Sequence, residues 1–342
     1  MNKNFIKLGL IENYKSLIWT SRYYDAGDFE LCVNVNSIAI EFLQIGNYVL
    51  RDDDDNVGII ETLQIQLNED SEEIIIASGR FATSLLSRRI IAAQTNFTNQ
   101  YVSAIINKLL TDNVINPLLP DRKISNFVSG VAVNSGQRIS TQYTGQNLGE
   151  TISKLCQTYG LGYKVTFNNS NQFVFQLYEG EDRSYDQSIN SYVVFSEEYD
   201  NLISSEYEEN HQCVITDVLV AGEGEGTDRK TAWVSSNSAS GIDRYEHYKD
   251  ARDLSTNEGE ISENEYNLQL ASRGAEDITD YTTAFSGTAD FTGVKYKQDV
   301  NLGDIVVVEN SRWGISMNCR LVEVIESIDE SGAYTINPTF GE

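Results

Sequence analysis

The 342 residues are enough for two or three domains of ordinary size, at roughly 150 residues each. A net charge of −26 repels nucleic acid at long range, which excludes a sequence-specific DNA reader. The charge is lopsided: residues 1–171 carry 14 Lys and Arg against 17 Asp and Glu, whereas residues 172–342 carry 11 against 34. No apolar run approaches the ~20 residues of a membrane span, and the first ten residues lack the apolar stretch of a signal peptide. A soluble chain made in the cytosol, without a membrane anchor, is expected.

In chain order, residues 1 to about 90 read as β. Phe29, Leu31 and Val33 alternate with Glu30 and Cys32, and an Asp/Gly turn at Asp25–Asp28 joins them to a preceding β-type run around Trp19. Further strands are expected at 17–20, 29–35 and 48–51. A long hairpin follows, from Gly58 through Leu63, Ile65 and Leu67, turning at 68–71 into 73–80. From about 95 the period changes. Tyr101, Val102, Ile105, Ile106, Leu109 and Leu110 line one face of a helix, and a second helix is expected at 148–159, with Asn147 as N-cap and Gly160 as stop. Strands at 163–167 and 173–177 complete an α+β module. Beyond 190, strands are expected at 192–195 and 213–221, and residues 235–259 read as a polar loop. Ser262 and Glu265 frame a capping box for a helix in which Tyr266, Leu270, Gly274 and Ile278 share one side. The chain returns to β at 281–291, 305–309, 319–328 and 333–336.

Candidate chemistry is sparse. Asp52, Asp53, Asp54 and Asp55 offer oxygen ligands, but an EF-hand loop counted from Asp53 has Gln64 where its bidentate Glu belongs, so a hairpin tip is the simpler reading. Only two histidines exist, His211 and His247, and neither stands in a nucleophile motif, which argues against triads and His-based metal centres. Cys32, Cys156, Cys213 and Cys319 lie far apart and read as core residues. The stretch Gly222–Gly226 is glycine-rich but carries glutamates, which repel phosphate. Tyr23, Tyr24, Tyr245 and Tyr248 read first as packing residues and second as sugar-stacking ones. Paired carboxylates remain the enzymatic option, because 51 acids always supply two; the deciding cleft and raised pKa are matters of geometry.

The string Leu17-Ile18-Trp19-Thr20-Ser21-Arg22-Tyr23-Tyr24, followed by Gly27-Asp28-Phe29-Glu30-Leu31, resembles the opening of phage tail hub proteins. Such proteins occur in siphophages of Gram-positive hosts and in related contractile tails and tail-like bacteriocins. Further elements fit in order: Gly58-Ile59-Ile60-Glu61, Gly79-Arg80-Phe81, Leu85-Leu86, Arg88-Arg89-Ile90, Leu302-Gly303-Asp304-Ile305-Val306 and the closing Pro338-Thr339-Phe340-Gly341. These hubs are similar to the central hub of contractile baseplates and to type VI secretion spike proteins.

The resemblance implies a mainly β fold with two small β-barrel domains per subunit and an inserted α+β module, three subunits forming a pseudo-six-fold ring. Residues 1–92 are then the main part of the first barrel and 93–190 the α+β module. Residues 191–230 are return strands completing the first barrel, and 231–342 are a second barrel with a helix at about 262–279. The implied function is structural: a trimeric hub at a tail tip or baseplate that adapts a six-fold tail tube to a three-fold tip and forms part of the conduit for DNA and tape-measure protein. Its expected partners are itself, the tail tube or distal tail protein, the tape-measure protein and a spike or tip protein, in a virion or tail-like particle. No enzyme activity, cofactor, metal or catalytic residue is expected, and the end of the chain soon after the second barrel argues against a built-in lysin. The rival readings are a tail-associated cell-wall glycoside hydrolase using paired carboxylates and a host carbohydrate-binding tail protein.

Overall fold

The turn at Asp25–Asp28 closes a hairpin of strands Ser16–Arg22 and Asp28–Asn34. Alternation along both strands sends Leu17, Trp19, Phe29, Leu31 and Val33 into one core. Trp19 is fully buried there, its ring 4.6 Å from that of Phe81 and 5.9 Å from that of Phe29. The computed structural model describes residues 1–67, 71–132, 136–289, 291 and 293–341. Most of the turn expected at 68–71, and position 290 of the strand expected at 281–291, lie outside the described residues.

This hairpin sits in the middle of the largest sheet. From one edge to the other the strands run Leu202–Asn210, Thr282–Ala289, Tyr334–Gly341, Ile315–Ile328, Ser16–Arg22, Asp28–Asn34, Glu73–Arg80 and Thr62–Leu67, each antiparallel to the next. The 14-residue strand Ile315–Ile328 changes partner along its length. Its first part pairs with Ile305–Asn310 and its second part with Ser16–Arg22, and its register against Tyr334–Gly341 shifts between Leu321 and Glu323. Two cores follow from that change. Trp19, Phe29, Ile75 and Phe81 belong to one, and Phe195, Phe285, Val308, Leu321 and Phe340 to the other.

The α+β module carries a third core. Helix Val102–Leu110 buries Ile105, Ile106 and Leu109, and a π turn at Thr111–Ile115 prolongs it. Helix Leu148–Thr158 is capped as expected, Asn147 Oδ1 accepting from the amides of Gly149 (2.9 Å) and Glu150 (3.2 Å). Both helices pack with strands Gly162–Phe167 and Phe173–Tyr178.

Several expected elements differ. The run from Gly58 to Leu67 is two strands, Val57–Ile59 and Thr62–Leu67, because Ile59 and Ile60 are drawn into different cores. Of the strands expected to complete the first body, that at 192–195 is Val194–Ser196 along Ile305–Asn310, and that at 213–221 is Asp217–Ala221 in a small separate sheet. An additional strand, Leu202–Asn210, lies along Thr282–Ala289. Phe195 and Leu202 belong to the core of Phe285 and Phe340, which holds them there. The stretch read as a polar loop contains the strand Glu246–Asp250, and Ala251 and Leu254 after it are buried. With Asp217–Ala221, Thr231–Ser235 and helix Glu263–Ala275 it forms a small unit of its own, set between two strands of the main sheet. Ser262 caps that helix, and Ile278, beyond its end, still packs on the same core.

Gly79 is where two layers touch, since a Cβ there would stand 1.9 Å from the Ile59 carbonyl oxygen. Gly79→Ala is expected to destabilise the protein by on the order of 2 kcal/mol. Gly293→Ala, in open space, is expected to leave the thermal midpoint unchanged.

Candidate functional site: the seam between the two cores

Glu326 faces inward beside Trp19 on the neighbouring strand and is 2 % exposed. A lone carboxylate at that depth is costly, and the chain surrounds it with donors. The Tyr334 hydroxyl donates to Oε1 (2.6 Å), Arg51 Nη2 reaches Oε1 (3.1 Å) and Lys297 Nζ reaches Oε2 (3.1 Å). Arg51 also bonds Asp53 (2.6 Å) and lies over the Trp19 ring, while Lys297 bonds Asp54 Oδ2 (2.7 Å). The Arg51 guanidinium, with weaker help from Lys297, holds the Asp53 carboxyl below its usual range against partial burial. Half of the acidic run Asp52, Asp53, Asp54 and Asp55 is therefore engaged by cations of the same chain.

Tyr23, just past the hairpin strand, is fully buried in a slot between bodies. Its hydroxyl donates to the Gly160 carbonyl (3.0 Å), its ring meets Tyr178 edge-on at 5.3 Å, and the Arg320 guanidinium lies 5.1 Å from its centre. Gly162 and Gly303 form the walls of the slot; a Cβ on either would come within 2.2 Å of the ring. Beside Gly303, Asp304 accepts from the amides of Glu181 (2.8 Å) and Asn301 (2.9 Å) and from Arg183 Nε (2.8 Å). This turn fastens the chain leaving the α+β module. Glu61 does the same on the other side, joined to Arg80 (2.8 Å) and Arg88 (3.0 Å). Arg80, with Arg88 behind it, holds the Glu61 carboxyl below its ordinary range despite its partial burial.

The remaining candidates lie apart from this seam. His211 stacks on Tyr281 (4.7 Å, 9° between planes) and pairs with Glu209 at 2.6 Å. His247 sits on strand Glu246–Asp250, 3.6 Å from Asp277. In the glycine-rich stretch, Glu223 accepts from the Thr256 amide and hydroxyl, which ties the loop down. Cys32, Cys156 and Cys319 are buried. No group of three or more His, Cys, Asp or Glu side chains placed to hold a metal occurs among the described residues. Burial pushes one carboxyl upward, that of Glu276. Tyr143 donates to its Oε1 (2.9 Å) and Arg273 stands 3.8 Å from Oε2. Its neighbour Asp277 is itself partly buried, yet Lys249 (2.6 Å) and Lys154 (3.0 Å) hold it low. Three of these four oxygens accept a hydrogen bond from the chain and the fourth faces a guanidinium, an arrangement that fastens modules together.

Sequence reasoning overlooked Glu326 and the pinning role of Tyr23. A signal for Glu326 was present: Val324, Glu326 and Ile328 alternate, which sets a charge at an inward position. Tyr23 carried none, because its slot is built from glycines some 140 to 280 positions away.

The family model of the Siphovirus ReqiPepy6 Gp37-like protein matches residues 1–342. The chain belongs to this family. Its fold is that of phage tail proteins. The tail protein from Neisseria meningitidis MC58 superposes with a TM-score of 0.58 at 14% identity, over 96% of this chain and 92% of that one. The 43 kDa tail protein of prophage MuSo2 from Shewanella oneidensis gives 0.58 at 16%, over 97% and 95%. Prophage tail protein gp18 from Listeria monocytogenes EGD-e gives 0.54 at 12%, over 98% and 90%. The comparison with curated proteins finds no match. The chain thus belongs to a siphovirus family and shares its fold with phage tail proteins. No helix among the described residues is long and apolar enough to cross a membrane.

The sign for Glu61 follows from its depressed pKa: the stability it adds is present above about pH 4.5 and is lost as pH falls through the folded-state value. Glu61→Gln is expected to cost about 1 kcal/mol at pH 7. In thermal melts across pH, the gap from the wild type should narrow progressively as the pH falls below about 4.5.

Proposed function

We propose that the protein is a trimeric hub of the tail tip or baseplate, and that the main sheet of each copy forms one third of a closed ring. The observation that carries this is the path of eight strands, ending in two unpaired edges, Thr62–Leu67 and Leu202–Asn210. Bare edges are a liability that proteins cover, bend or close. On the first edge Ile65 and Leu67 are 57% and 66% exposed, and on the second Ile203 is 69% exposed. Joining the first edge of one copy to the second edge of the next is a heterologous contact, which closes when the rotation permits. Three copies would then give one continuous wall around an axis.

The face of the sheet turned away from both cores suits a conduit. By register and alternation it carries Ser204, Glu206 and Glu208, then Ser286 and Thr288, then Thr335, Asn337 and Thr339. Past the seam follow Glu323, Ile325 and Ser327, then Ile18 and Thr20, then Asp28, Glu30, Cys32 and Asn34. At the far edge lie Ile74, Ile76 and Ser78 with Thr62, Gln64 and Gln66. Its two arginines are neutralised, Arg22 by Asp28 (2.5 Å) and Glu323 (2.6 Å), and Arg80 by Glu61. A wall that mixes hydroxyls, amides and carboxylates with a few apolar side chains, and whose arginines are paired, offers phosphates no free cation and lets DNA and an extended tape-measure protein slide without adhering. In this reading the ring meets the tail tube or distal tail protein on one side and a spike or tip protein on the other, adapting six-fold to three-fold symmetry.

Ile65→Lys/Leu67→Lys, with both changes on an exposed edge, is expected to melt within about 0.5 kcal/mol of the wild type. The double variant should fail to form the trimer that light scattering detects for the wild type. In a reconstruction of the intact tail end, three copies are expected around the axis; a map without this chain on the axis refutes the hub reading.

A further inference from the structure

The small sheet of Asp217–Ala221, Thr231–Ser235 and Glu246–Asp250 has its helix on one side only. Val218, Val220, Ala232 and Val234 turn toward helix Glu263–Ala275. The alternate positions form rows on the other face. Leu219 lies opposite both Trp233 and Tyr248, and on either side of that row Asp217 lies opposite Glu246, and Ala221 opposite Asp250. The middle row is apolar, and Trp233 and Tyr248 are each about half exposed.

Two guanidinium groups hold these rings in place. Arg244 stands 5.0 Å from the centre of the Trp233 ring and is tied by Asp217 and Glu246, both at 2.6 Å. Arg229 lies 5.9 Å from the centre of Tyr248, donates to its hydroxyl (2.8 Å) and bonds Asp250 (2.7 Å), to which Arg252 is also paired. Asp217 is fully buried, and the hydroxyls of Thr216 and Ser235 donate to it. Three arginines thus balance three carboxylates on a half-chain that holds 11 cations against 34 acids. The result is a neutral aromatic row, with its side chains already ordered, on a strongly acidic body.

We propose that this row is the contact for a second tail protein, different from this chain, that brings an apolar centre and a basic rim. The proposal rests on the tail-component reading above. Trp, Tyr and Arg dominate the energetic centres of protein interfaces, and ordering them beforehand removes part of the entropic cost of association. The loops leading into these strands expose Glu225, Asp228 and Asp243, which attract a basic rim. A second copy of this chain docking here would set the acidic loops of Glu225, Asp228 and Asp243 against their own likeness, which disfavours it at this row.

Hydroxyl-radical footprinting of the full chain, free and in intact tail particles, tests this. Trp233 and Tyr248 are expected to be oxidised about tenfold more slowly in the particle than in the free chain, as desolvated interface centres are. Equal rates, in particles that contain the chain, overturn the docking row and leave the hub reading standing. Particles without the chain overturn both. Protection already present in the purified homo-oligomer assigns the row to a second copy, and protection of the free chain by solubilised cell-wall glycan assigns it to sugar. Either result overturns the proposal.

Discussion

Strand Ile315–Ile328 serves two cores, and the rest of the structure depends on how it does so. One half pairs with Ile305–Asn310 and closes the C-terminal body; the other half pairs with the N-terminal hairpin. The strand therefore cannot leave either body without breaking a row of backbone hydrogen bonds in the other. At its inward-facing end lies Glu326, a carboxylate that desolvation would expel if Arg51, Lys297 and Tyr334 did not meet it. Those partners come from a short strand end, an inter-strand loop and the next strand. Burying Glu326 consequently fixes the N-terminal acidic run against the C-terminal body.

A seam of this kind favours rigidity. Tyr23 between Gly162 and Gly303, Asp304 on the amides of Glu181 and Asn301, and Glu61 on two arginines act at separate points around the same joint. Each carries a geometric demand, such as a glycine wall, a bidentate turn or a guanidinium fork, that a looser apolar contact would not impose. The outer modules are joined differently. Between helix Glu263–Ala275 and strand Arg138–Tyr143, Arg273 bonds Asp253 and the Gln142 carbonyl, and Tyr143 bonds Glu276. A polar contact of that sort specifies orientation more than it adds stability.

The elements with strong local patterns were legible in the sequence. The helices around Ile105 and Leu155, the N-caps Asn147 and Ser262, and the hairpin at Trp19 all depend on neighbours within a few positions. Strand partners were less legible. Leu202–Asn210 is mostly polar and alternates poorly, and its partner lies some 80 residues further on, beyond an inserted unit, so nothing local marks the pair. The strand Glu246–Asp250 was hidden by charge. It lies at the edge of a small sheet with Tyr248 outward and Lys249 on the helix side, so its burial signal is weak.

The sequence by itself determined which catalytic and metal-binding motifs are missing from it and the family to which the chain belongs. Two separated histidines, scattered cysteines and a net charge of −26 are properties of composition, and the short motifs from Trp19 to Gly303 are legible as strings. Only the tertiary structure decided what those motifs are for. Gly79, Glu61, Gly303 and Asp304 acquire meaning when chain segments far apart in sequence come within bonding distance at one seam. The continuity of eight strands across two bodies, and hence the two free edges and the cation-poor face, likewise follow from pairings that no local pattern encodes. Local periodicity sets which way a side chain points; the packing of the cores sets what it meets.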